Sequence, residues 1–97
     1  MLETTGLKLT DCRKGDLAEF YAVTWLWDQG YEVFKNSSSR GPIDIIAFKD
    51  GITILIDVKT KKTGSGLKRT TLQKKLGVIL LSFDRQTRKL AWVNHQN

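Results

Sequence analysis

The spacing of apolar and polar residues changes several times along this chain, and each change marks a predicted element. Arg13 to Gln29 (RKGDLAEFYAVTWLWDQ) is rich in helix formers, with Thr10 or Asp11 available as N-cap and Gly30 placed to end the helix. Tyr31 to Phe34 (YEVF) alternates as a short strand does, and the polar run from Asn36 to Gly41 reads as a loop closed by Gly41-Pro42. Two β-branched apolar runs follow, Ile43 to Lys49 and Ile52 to Lys59, separated only by Asp50-Gly51. That dipeptide suits the positive φ angles of a type I′ turn, so the runs are expected to form a hairpin.

After Lys59, the segment TKKTGSGLKR reads as a basic, glycine-containing loop, and Thr70 to Leu76 as one or two helical turns ended by Gly77. Val78 to Phe83 and Lys89 to Asn94 complete the chain as two strands around a polar turn. The predicted order is α-β-β-β-α-β-β, an α/β (α+β) arrangement. No internal repeat or low-complexity segment interrupts it, and 97 residues suit one domain spanning 1–97.

The hairpin register carries the chemical argument. A two-residue turn pairs Lys49 with Ile52, which sets Asp44 opposite Asp57 at a Cβ separation of ~4.5–5.5 Å. Like charges facing each other in strands cost stability unless something positive lies between them, and a divalent cation would supply that charge. Oxygen ligands suit Mg²⁺ or Mn²⁺. Lys59, two residues beyond Asp57, falls on the same face. The bland alternative places both aspartates on a solvated sheet face with Lys59 as a surface partner. It fits poorly with runs so continuously apolar, which indicate strands covered on both sides. Glu19 interrupts an otherwise apolar stretch of the first helix, where a solvated glutamate is the ordinary reading.

These residues resemble the PD-(D/E)XK nuclease superfamily: Lys14-Gly15 and Glu19 on the first helix, then Gly41-Pro42-Ile43-Asp44, then Asp57-Val58-Lys59. The resemblance spans Lys14 to Val78 and is nearest to small resolvase-like members, homing endonucleases and virus-type replication-repair nucleases. It implies a restriction-endonuclease-like αβββαβ core with a mixed sheet, here with an extra C-terminal strand. It also implies that Asp44, Asp57 and the Val58 carbonyl bind metal, that Lys59 is the catalytic lysine, and that Glu19 binds a second metal or a metal-bound water. The implied activity is metal-dependent endonucleolytic hydrolysis of DNA to 5′-phosphate and 3′-hydroxyl ends, with Holliday junctions and other branched DNA, in bacterial, archaeal or phage settings, among the substrates. The chain departs from the pattern in having Asp57 where glutamate is commoner and one residue between Pro42 and Asp44.

Charge agrees with a polyanionic partner. The formal net charge is +6, and seven basic residues lie between Lys59 and Lys75 with no acid among them. Lys61, Lys62, Lys68, Arg69, Lys74 and Lys75 are candidate DNA contacts, although lysines in such loops are often merely solvated. Arg40, before Gly41-Pro42, is a candidate at the mouth of the site. Gln73, in Thr70-Thr71-Leu72-Gln73, resembles a glutamine that lies near the metal in virus-type replication-repair nucleases. No basic amphipathic helix or apolar run of spanning length supports a membrane reading. The single Cys12, without a partner cysteine and remote in sequence from the single His95, speaks against a disulfide or a zinc site and for a reducing cytoplasm. Phe20, Tyr21, Trp25 and Trp27 crowd one helix, as core or as the interface of a homodimer. A binding module with the same fold but no catalysis is the competing functional reading.

Overall fold

In a computed structural model, residues 9–38, 40–61 and 66–94 are described. Lys62 and His95, both discussed above, lie outside them. The first helix, α1, runs Asp11–Asp28; Thr10 caps it, its hydroxyl accepting from the Arg13 amide at 3.2 Å. Ala18, Ala22, Val23 and Leu26 form its buried stripe, and the two alanines let the helix lie close to the sheet. At the other end Gly30 adopts φ 91°, and the Lys49 ammonium donates to the Gln29 carbonyl at 2.6 Å, satisfying an end-of-helix acceptor.

Five strands form one sheet in chain order: β1 Glu32–Lys35, β2 Ile45–Lys49, β3 Ile52–Thr60, β4 Ile79–Asp84 and β5 Lys89–Trp92. Neighbours are antiparallel except β3 and β4, which are parallel and joined through α2, Thr71–Leu76. The chain therefore has the mixed α+β architecture that its pattern predicts. The hairpin register is also as predicted: Lys49 pairs with Ile52, with Asp50 and Gly51 at φ 53° and 78°.

One face of the sheet packs on α1. Ile45, Ala47, Ile56 and Leu81 join Ala22, Val23 and Leu26 in the core, with Trp25, Val33, Ile54, Val58 and Leu90 at its margin. Burying each large aliphatic side chain contributes ~1.5–3 kcal/mol. Tyr21 stacks on Phe83 at 4.9 Å and Trp25 meets Trp92 edge-on at 5.6 Å, so these two helix aromatics serve the core. Phe20 and Trp27 point outward, 60% and 59% exposed.

Two differences from the expected elements have local causes. The regular pairing of β2 starts at Ile45 rather than Ile43, because the Asp44 amide donates to the carbonyl of Ile56, the residue already paired with Ile45. Two residues against one is the arrangement of a β-bulge, which re-aims a side chain at a strand end, so Asp44 does not pair directly with Asp57, the partner that the turn count predicts. Coverage on both faces holds for Asp57 and Leu80 on the central strands, but Phe34, Ile46 and Phe48 of β1 and β2 stand exposed on the face away from α1.

Candidate active site

Strand alternation builds the site from β3. Ile56 and Val58 point toward α1, so Asp57 and Lys59 point to the opposite side. Asp57 is buried, and its Oδ2 lies 3.3 Å from Lys59 Nζ, whose side chain stays about half exposed. Asp44 arrives from the bulge at the start of β2; its Oδ2 accepts from the Val58 amide at 2.8 Å. The Asp44 carboxyl neighbours that of Asp57. Burial and a nearby carboxyl both favour the protonated form of Asp44. The Asp44 pKa is accordingly pushed up from 3.8 to about 7, by burial first and then by the neighbouring Asp57 carboxyl, with the Val58 amide opposing and the charge of Glu19 adding.

Gln73 ties a third element to the pair. It is buried on α2, and its Nε2 donates both to Asp57 Oδ2 at 2.8 Å and to the Pro42 carbonyl at 3.0 Å. Its Oε1 accepts from the Thr70 amide at 2.9 Å while the Thr70 hydroxyl accepts from the Gln73 amide at 3.1 Å, a reciprocal capping box. The start of α2, the segment before Asp44 and the carboxyl of Asp57 are thus held by one carboxamide. The Thr-x-x-Gln pattern is the sequence signal of such a cap, although above it supports only a likeness to a glutamine near a metal; the bond to Pro42 had no sequence signal.

Glu19, on α1, acts on Asp44 through its charge. Its Oε1 lies 3.0 Å from Lys35 Nζ, and that ammonium lies 5.3 Å from the centroid of the Phe20 ring. Among the described residues no group of three or more His, Cys, Asp or Glu side chains is close enough to hold a metal together, so the immediate pair is Asp44 and Asp57. Lys35, the partner of Glu19, was not a sequence candidate; only its place at the end of β1 could have suggested it.

Among the described residues, none of the basic candidates apart from Lys59 contacts either carboxyl. Lys61, Lys68, Lys74 and Lys75 are exposed, and the Arg69 guanidinium donates to the Val78 carbonyl at 3.3 Å. Arg40 is exposed in the loop before Pro42, its carbonyl accepting from the Asn36 amide group at 3.0 Å.

Two neighbouring carboxyls, one of them held toward its protonated form, are a donor set suited to a hard divalent cation, whose charge would offset their repulsion. Residues 18–82, most of the chain and all of the acidic pair, match the family described as Uncharacterised protein family UPF0102. The chain belongs to UPF0102. A UPF0102 protein from Rhizobium etli is 31% identical over 61 residues, covering 61% of this chain and 50% of the relative. This UPF0102 chain thus spans half the length of the curated relative it matches. Among solved structures, a bacterial homing endonuclease, I-Ssp6803I, aligns with a TM-score of 0.67 at 18% identity, over 89% of this chain and 67% of that one. The likeness establishes the restriction-endonuclease-like fold that the PD-(D/E)XK resemblance implied. Among the described residues of this UPF0102 chain, no helix is long and apolar enough to cross a membrane.

Proposed function

We propose that this protein is a divalent-metal-dependent DNA endonuclease, acting as a single-domain homodimer in a reducing cytoplasm, with branched DNA such as a Holliday junction as its preferred substrate. The observation that carries the reading is the convergence of Asp44 and Asp57, with Lys59 beside Asp57, on a restriction-endonuclease-like sheet.

In this reading Asp44, Asp57 and the Val58 carbonyl hold Mg²⁺ or Mn²⁺, with Glu19 able to serve a second ion or its water once released from Lys35. The ion, when bound, lowers the pKa of water and offsets charge on the phosphate. The chain's own residues do the rest. The Val58 amide fixes the Asp44 carboxylate, and Gln73 fixes that of Asp57, so neither must reorganise during the reaction. Lys59, half exposed and already beside Asp57, can orient the attacking water or face the charge developing on the phosphate. Lys61, Lys62, Lys68, Arg69, Lys74, Lys75 and Arg40 supply the field that draws in the polyanion.

The test is a panel of labelled duplex, single-stranded, flap and four-way-junction DNAs incubated with Mg²⁺, Mn²⁺ or EDTA, with Asp57→Asn as the control protein. Cleavage that needs the metal and is lost by orders of magnitude in the variant, while affinity in EDTA is kept, is the expected result. Wild-type cleavage by Asp57→Asn would exclude the carboxylate as a ligand. Metal-independent binding without any cleavage would leave a nucleic-acid-binding module.

A further inference from the structure

A pocket of about 270 Å³ opens directly beside Asp44, between the ends of β1 and β2. Phe34, Ile43 and Ile46 supply its apolar walls, and Asp44, Asn36 and Lys35 its polar ones. Phe34 and Ile46 are cross-strand partners on the sheet face that α1 does not cover, and Phe34 is 58% exposed. A large aromatic so exposed next to a partly buried carboxylate adds nothing to the core.

The polar groups around the pocket are already occupied. The Asn36 amide group donates to the carbonyls of Arg40 and Ile43 at 3.0 and 2.9 Å, and its oxygen accepts from the Ser38 amide at 2.9 Å. Lys35 is paired with Glu19, and Asp44 with the Val58 amide. What the pocket offers to a ligand is therefore an aromatic face and aliphatic walls, with little that reads a hydrogen-bonding edge. Its volume lies just below the ~300–1,000 Å³ usual for drug-sized ligands, which suits one flat ring system.

We propose that this pocket receives an unpaired nucleobase of the substrate, stacked on Phe34 next to the phosphate held near Asp44 and Lys59. The inference rests on the nuclease reading and specifies its substrate as DNA with at least one unstacked base. The net charge of +6 and exposed Arg40, whose own carbonyl is hydrogen-bonded to Asn36 of the pocket, favour a polyanion as the occupant. A second protein copy seated on the pocket would instead close off Asp44. In a continuous duplex the base faces are hidden in the stack, so a flap, junction or single strand presents what a duplex cannot. Because stacking uses the π-face common to all bases, the pocket selects for structure and tolerates sequence.

The experiment measures affinity in EDTA for a single strand, a flap and a fully paired duplex, each carrying 2-aminopurine, with wild type, Phe34→Ala and Phe34→Trp. Phe34→Ala is expected to weaken the single strand and flap by about tenfold and to leave the duplex unchanged, and Phe34→Trp to preserve binding with stronger quenching of 2-aminopurine. Equal losses on all three DNAs, no loss on any, or quenching independent of residue 34 would overturn the proposal. So would a Phe34→Ala protein that loses self-association while its DNA affinity is kept, since the face would then be a protein contact. Metal-dependent cleavage is scored separately on the same proteins. If Asp57→Asn still cleaves while the Phe34 effects hold, the site assignment fails and the pocket stands; the opposite pattern removes the pocket alone.

Discussion

Gln73 Nε2 lies 2.8 Å from Asp57 Oδ2, and the same nitrogen reaches the Pro42 carbonyl two residues before Asp44. One side chain therefore connects the two acid-bearing segments. Gln73→Leu, close in volume, removes the donor to Asp57 and the Pro42 carbonyl and the acceptor of the Thr70 amide, with Lys59 still beside Asp57 Oδ2, at a cost of ~1–3 kcal/mol. The expected outcome is a folded protein with a lower Tm, weaker metal affinity and a fall in kcat larger than the change in DNA affinity. Calorimetric metal titration beside single-turnover cleavage checks it. Unchanged metal affinity would make Gln73 a helix-capping residue only.

The raised pKa of Asp44 sets a pH dependence in metal-free protein. Between its ordinary value of 3.8 and about 7, the folded state holds a proton that the unfolded chain has released. More protons on the native state means that stability falls as pH rises across that window and levels off above it. Asp44→Asn removes this dependence, so in EDTA the difference in Tm between variant and wild type should grow in the variant's favour from pH 4 to pH 7. Adding Mg²⁺ at pH 8 should raise the Tm of wild type and leave the variant largely unmoved. A difference in Tm that is flat with pH would mean that folding does not raise the Asp44 pKa.

Replacing Lys61, Lys68 and Lys74 with alanine removes three exposed charges that touch neither carboxyl. DNA affinity should fall, and the slope of log K against log salt should flatten by roughly one unit for each phosphate that is no longer neutralised. Metal affinity should remain that of wild type. A salt slope identical to wild type would show that the duplex approaches from elsewhere.

Phe20 and Trp27, both exposed on the outer side of α1, are the apolar residues available for self-association through the helix. The double replacement Phe20→Ser and Trp27→Ser should convert a dimer to an 11.0 kDa monomer in sedimentation, with the fold kept because neither side chain belongs to the core. A wild-type protein that already sediments as a monomer at tens of micromolar would remove the assembly proposal.

Much of this architecture was legible because its signals are local. The cap at Thr10, the turn at Asp50-Gly51 and the left-handed glycines after each helix act within a few residues of where they are read. Counting from the turn placed Asp44 and Asp57 on one face, but directly opposite each other, whereas the bulge sets Asp44 and Ile45 together against Ile56. What stayed hidden depends on distant partners. An apolar run says that a strand can be buried, not which face another element will cover, and so the exposure of Phe34, Ile46 and Phe48 could not be foreseen. Likewise, nothing beside Glu19 in the sequence announces Lys35, and nothing beside Pro42 announces Gln73.

The type I′ turn has a consequence for how this protein can change. Because side chains alternate in strands, inserting or deleting one residue at Asp50-Gly51 would carry every following position of β3 to the other side of the sheet, placing Asp57 among the helix-facing aliphatics and Ile56 in the open. Changes in steps of two keep parity yet shift the acids past each other along the strands. The polar turn at Arg85–Arg88 carries no such constraint, since β5 bears none of the acidic pair, Lys59 or Gln73. Length variation among working relatives should therefore gather between β4 and β5 and be purged from the tight turn, which acts as the molecule's alignment gauge.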